Sequence, residues 1–144
     1  MKHILTTTFV VFLFCVSAYA QVEKTIHQTF ELDDVTTVKL EIPGEYEIIP
    51  WASSSILTET HIKLFNASPA ILKHFVEKEK RYSFVLEMSE GTATLKAEDL
   101  EREPIKIRDV TLTEVVVQKI YLPENFVASN ADNQENLLVR RSEE

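Results

Sequence analysis

Residues 38–51 read V-K-L-E-I-P-G-E-Y-E-I-I-P-W, and no other stretch restricts the possible folds of this chain so tightly. Val38, Leu40 and Ile42 alternate with Lys39 and Glu41. That period of two puts apolar side chains on one face of an extended strand and charges on the other. Pro43 and Gly44 follow; one fixes φ and the other tolerates positive values, which is turn chemistry. Tyr46 and Ile48 resume the alternation against Glu45 and Glu47, and Pro50 is expected to end the run because it cannot donate to a ladder. The segment therefore predicts a strand, a turn and a second strand, with Trp51 and Tyr46 on the same turn hairpin.

Similar alternation recurs along the chain. Ile26, Phe30 and Leu32 share a parity that Gln28 interrupts, and Ile56, Thr58, Thr60, Ile62 and Leu64 line one side of a long strand opposite Glu59, His61 and Lys63. Ser68-Pro69 has the form of a helix start, serine as N-cap and proline at the first helical position, followed by Ile71, Leu72, Phe75 and Val76 at helical spacing. One helix is expected at about 68–80. Tyr82, Phe84, Leu86 and Met88 return to period two, turn at Ser89-Glu90-Gly91 and pair with residues 92–97. A short strand at 105–107 and a β-branched strand at 111–122 complete the pattern. Leu122-Pro123-Glu124-Asn125-Phe126 echoes Ile42-Pro43-Gly44-Glu45-Tyr46, and the pair reads as two similar sheet corners. The fold class is mostly β: an antiparallel sandwich or a short irregular β-solenoid, with a single helix.

The first twenty residues have a basic start, an apolar run and Ala18 and Ala20 at the spacing of a signal-peptidase site, so cleavage is expected before Gln21. The domain reading is a signal peptide at 1–20, one β-rich domain at 21–127 and a polar, mobile C-terminal tail at 128–144. Its Leu137, Leu138 and Val139 read at most as a frayed strand. The one cysteine, Cys15, falls within the signal, which leaves no disulfide framework and no cysteine nucleophile in the exported chain. A formal charge of -8 argues against nucleic acid and against an anionic membrane surface, both of which select for lysine and arginine. No stable membrane span is expected after cleavage.

Chemical motifs are sparse. His27, His61 and His74 have no H-x-H or H-x-x-x-H spacing; Glu59 and His61 share a strand face but are two ligands where structural zinc takes four. Ser53, Ser54 and Ser55 lack a nucleophile-elbow context, and Gly44 and Gly91 stand alone where a phosphate loop needs several glycines. No catalytic residue, metal or cofactor is assigned, and the chain is expected not to be an enzyme. The candidate binding residues are Tyr46 and Trp51, an aromatic pair suited to a sugar ring or a protein partner if exposed. A second candidate surface is an unpaired strand edge at residues 111–122.

The 38–51 segment, with Gly44, Tyr46 and Ile48 in a G-x-aromatic-x-I pattern, resembles bacterial auto-transporter adhesin head domains and related β-strand-repeat envelope proteins. Leu122-Pro123-Glu124-Asn125-Phe126 is similar to the proline turn that precedes a new rung in those families. With only two glycines and a helix, this chain resembles a short irregular relative or a sandwich with similar corners. The resemblance implies an envelope role without catalytic residues. The expected function is a non-catalytic, exported, adhesin-like interaction module, with an envelope protein or surface glycan as partner. The alternative is a carrier that holds a sugar or lipid between the sheet and the helix.

Overall fold

The computed structural model describes residues 21–129 and 136–141. The expected signal peptide, with Ala18 and Ala20, lies outside the described residues; Gln21 opens the first strand. Eleven strands and one helix follow in the order β1 (Gln21–Glu31), β2 (Thr37–Glu41), β3 (Tyr46–Trp51), β4 (Ser55–Phe65), α1 (Pro69–Glu77), β5 (Phe84–Ser89), β6 (Thr92–Ala97), β7 (Lys106–Ile107), β8 (Val110–Thr111), β9 (Thr113–Pro123), β10 (Phe126–Ala128) and β11 (Leu137–Arg140).

The strands form a sandwich. One sheet has the order β1-β4-β9-β3 and the other β10-β11-β2-β6-β5, while β7 and β8 make a separate small hairpin. Both main sheets are mixed rather than antiparallel, because β2 runs parallel to β6 and β3 parallel to β9. Residues 38–51 are the cause. Pro43 and Gly44, the latter at φ +76°, do not close a hairpin; they carry the chain from the five-stranded sheet to the four-stranded one. The echo at 122–126 makes the return crossing, from β9 to β10. The two proline corners are thus sheet-to-sheet connections of opposite sense. Pro50 lies inside β3 rather than after it, which is tolerated because β3 has a neighbour on one side only.

Two cores fill the sandwich. Val38, Leu40, Phe84, Leu95 and Leu138 of the five-stranded sheet meet Ile56, Ile120 and Leu122 of the other. The long strands β1, β4 and β9 have 11 residues each, against six at most opposite them, so the four-stranded sheet overhangs its partner by roughly 15 Å at about 3.3 Å per residue. Helix α1 and the residue 98–112 loop cover that overhang, where Leu72, Tyr82, Ile105 and Leu112 pack on Ile62 and Leu64. Ser68 caps the helix as its sequence implies, its side chain accepting from the Ile71 N–H.

The domain boundary at 127 moves. Leu137–Arg140 is strand β11, placed between β10 and β2 with Leu138 buried. A four-residue strand is too short for its alternation to stand out from a polar tail, and only its neighbours identify it. The other tail residues, 130–135 and 142–144, lie outside the described residues.

Candidate functional site

Strand parity assigns each side chain to a face. On the four-stranded sheet, inward positions of β9 are Glu114, Val116, Gln118, Ile120 and Leu122; Val115, Val117, Lys119 and Tyr121 point outward. Register continues the outward row to Lys63, His61, Glu59 and Leu57 on β4, and to Glu47 and Ile49 on β3.

This rule separates the two expected binding residues. Tyr46 and Trp51 are five apart, an odd number, so they face opposite sides of β3. Tyr46 turns inward against the main core, its hydroxyl donating to Asn136 Oδ1 at 2.6 Å. Trp51 turns outward and is half-buried; its ring lies 5.9 Å from that of Tyr121 and its Nε1–H donates to the Ser55 carbonyl at 2.8 Å. With Ile49 and Leu57 on the same face, Trp51 and Tyr121 form a partly exposed apolar cluster at one end of the sheet. Gln21 is exposed at the start of β1.

Charged side chains separate that cluster from the outward valines and continue alongside the valines themselves. Glu59 accepts from His27 at 3.2 Å and lies 3.5 Å from Lys119 Nζ; Glu23 lies 3.0 Å from Lys63 and 3.6 Å from His61. The His27 hydrogen bond, aided by Lys119, holds the Glu59 carboxyl below its ordinary range, and Lys63 does the same for Glu23. Glu59 and His61 are therefore occupied by neighbours across the ladder. Among the described residues no three His, Cys, Asp or Glu side chains converge to hold a metal ion.

The edge expected at residues 111–122 is mostly absent, because β9 is an interior strand between β4 and β3. Pairing with β3 begins only at Gln118, opposite Tyr46. Residues 113–117 therefore have β4 on one side and no ladder neighbour on the other among the described residues. There Val115 and Val117 are 44% and 48% exposed. A groove of about 290 Å³ opens at the same place, lined by Glu45, Tyr46, Glu47, Val116, Val117 and Gln118.

The inner face of β9 carries a second polar feature, which the sequence did not bring forward. Arg81, 5% exposed, donates from Nε and Nη2 to Glu114 at 3.0 and 2.9 Å, from Nη1 to Asp99 at 3.2 Å and from Nη2 to the Glu103 carbonyl at 2.8 Å. The Tyr82 hydroxyl donates to Glu114 at 2.5 Å. Burial acts to raise the Glu114 carboxyl, but hydrogen bonds from Arg81 and Tyr82 overcome it and hold the group below the usual carboxylate range. Burial, then the bond to Glu114, pushes the Tyr82 phenol up. Nearby, Arg102 Nη2 donates to Gln118 Oε1 at 2.9 Å, and Gln118 Nε2 donates to the Pro43 carbonyl at 3.0 Å. Chemically this cluster is a clamp. It fastens the 98–103 loop and the Pro43 corner to β9, with each carboxylate oxygen of Glu114 already accepting. The available signal was a polar residue at an inward parity: Glu114 and Gln118 both fall there.

Below the helix a packed core lies beside an open groove lined by Pro69 and Leu72 of α1. Leu72 is buried among Ile62, Leu64 and Tyr82, and the groove beside α1, about 470 Å³, lies against Val22, Lys24 and Lys73. No helix among the described residues is long and apolar enough to cross a membrane. Compared with known proteins, the chain matches no family model, no curated protein and no solved structure.

Proposed function

We propose that the chain is a non-catalytic, exported interaction module that binds a protein of the cell envelope through the outer face of its four-stranded sheet. The observation that carries this reading is the composition of that face. Val115, Val117 and Tyr121 lie outward along one strand, with Lys119 between the valines and the tyrosine, and the Trp51 ring lies beside that of Tyr121 at a tilt of 53°. Apolar and aromatic side chains left partly exposed together on a sheet suit a partner better than they suit water. Ile62, Leu64, Leu72 and Tyr82 pack together beneath α1, and the space beside them is an open surface groove of about 470 Å³ rather than an internal cavity, which favours this module over a carrier with an enclosed ligand. The signal-like residues 1–20 support export.

Affinity capture tests the reading, using the chain from Gln21 onward as bait against its own cell-envelope extract. A protein retained saturably by the wild type and lost on Tyr121→Ser or Trp51→Ala is the expected result. Retention of a glycan or lipid instead of a protein, or retention indifferent to both substitutions, would sink it.

A further inference from the structure

Resting on that reading, we propose that residues 113–117 of β9 form an acceptor edge that takes an added strand from the partner: an extended, apolar segment bearing lysine or arginine. Three observations converge on this edge.

The first is that the edge is open. The β3–β9 ladder stops at the Tyr46–Gln118 pair, while the β4–β9 ladder continues to Thr113. Backbone N–H and C=O groups on the β3 side of residues 113–117 thus have no ladder partner among the described residues. An incoming strand satisfies such groups directly.

The second is that it lacks the protection given to the other edges. Edge strands are commonly blunted by charge, proline or brevity. Here β1 carries exposed Glu23, Lys24 and Glu31, β3 carries Glu47 and Pro50, β5 carries Glu87, and β10 has three residues. Residues 113–117 read T-E-V-V-V. They contain no lysine and no proline, and their one charge, Glu114, is turned inward onto Arg81. Three valines in succession have strong strand preference and leave Val115 and Val117 exposed to pack on a neighbour.

The third is charge. The groove at the point where β3 ends is flanked by Glu45 and Glu47, and no cationic side chain lines it. Acidic walls select a basic strand and steer its approach. They disfavour a second copy of this chain, which carries a formal charge of -8 and would bring the same two glutamates to the contact.

A pair of fluorescein-labelled octapeptides tests the assignment, one alternating lysine with valine and the other glutamate with valine. Titrated against the chain from Gln21 onward and followed by anisotropy, the lysine peptide is expected to bind at least tenfold more tightly. Its binding should slow amide exchange at residues 113–117. Glu45→Lys with Glu47→Lys should reverse the preference, and Val115→Lys, which sets a second cation opposite Lys63, should weaken the lysine peptide, with thermal melts checking that the variant remains folded. Equal binding of the two peptides, unchanged preference after charge reversal, or protection elsewhere than residues 113–117 would overturn the proposal. So would self-association of the wild type abolished by Val115→Lys, which assigns the edge to a second copy. Loss of the strand proposal while capture still depends on Trp51 leaves the interaction module standing; failure of capture removes the module itself.

Discussion

Arg81 and Glu114 join the turn after α1 to the inner face of β9 through two parallel hydrogen bonds, 3.0 and 2.9 Å long, across 33 positions of sequence. Both side chains are largely out of water, at 6% and 18% exposure. A planar guanidinium meets a carboxylate fork to fork in this way, and lysine cannot reproduce it. The pair holds down the part of the four-stranded sheet that the shorter sheet does not cover.

Breaking one side of a buried pair leaves the other charge uncompensated. Arg81→Met is therefore expected to destabilise the fold by about 3–5 kcal/mol. Replacing Arg81 and Glu114 together with methionine and leucine should cost clearly less than the two single changes summed. Urea denaturation of the four variants, analysed as a double-mutant cycle, measures the difference.

Acid should act through the same carboxylate. The folded-state value of Glu114 is depressed below its ordinary 4.5, so its contribution is fully present above that pH. It is lost as pH falls from there through the folded-state value. Wild-type stability should decline below about pH 4.5, and Glu114→Gln, weaker at neutral pH, should show a shallower decline. Thermal melts from pH 7 to pH 3 check the slope; parallel curves would contradict the assignment.

Gln28 interrupts an apolar parity because its amide closes one side of the sandwich. Its Oε1 accepts from the Phe84 N–H at 2.9 Å and its Nε2 donates to the Phe84 carbonyl at 3.2 Å, linking β1 to β5 across the two sheets. Gln28→Ala is expected to cost about 1–3 kcal/mol by leaving buried backbone groups unpaired. Amide exchange at Phe84 should accelerate more than exchange at its strand neighbours.

At Gly44 the cost of a side chain is conformational. An added Cβ meets nothing within 4 Å, but φ is +76°. Gly44→Ala should therefore destabilise by about 1–2 kcal/mol through backbone strain alone. Gly44→Asn should recover part of the loss, since asparagine tolerates positive φ. Chemical denaturation of both variants separates strain from a clash, which would penalise asparagine more.

Much of the architecture was legible because alternation is a local property. The parity of Val38, Leu40 and Ile42 marks their inward face whatever strand lies beside them, and Ser68-Pro69 starts a helix from its own backbone chemistry. A mostly β fold with one helix therefore follows from residues a few positions apart, while the choice of a sandwich over a short solenoid came with the sheet pairing. Gln28, Glu114 and Gln118 were also visible as polar residues at inward parities, although their partners were not.

Pairing is a different matter, because it depends on contacts between distant segments. Pro43 and Gly44 give the same local signal whether the chain folds back on itself or crosses to the other sheet; the parallel fit of β2 to β6 and of β3 to β9 decided for the crossing. Leu137–Arg140 became a strand only because β10 and β2 leave a place between them. The candidate surface arose in the same way. The sequence determined that residues 113–117 are extended and apolar, but their open edge exists because β3 starts at Tyr46, five residues along the neighbouring ladder.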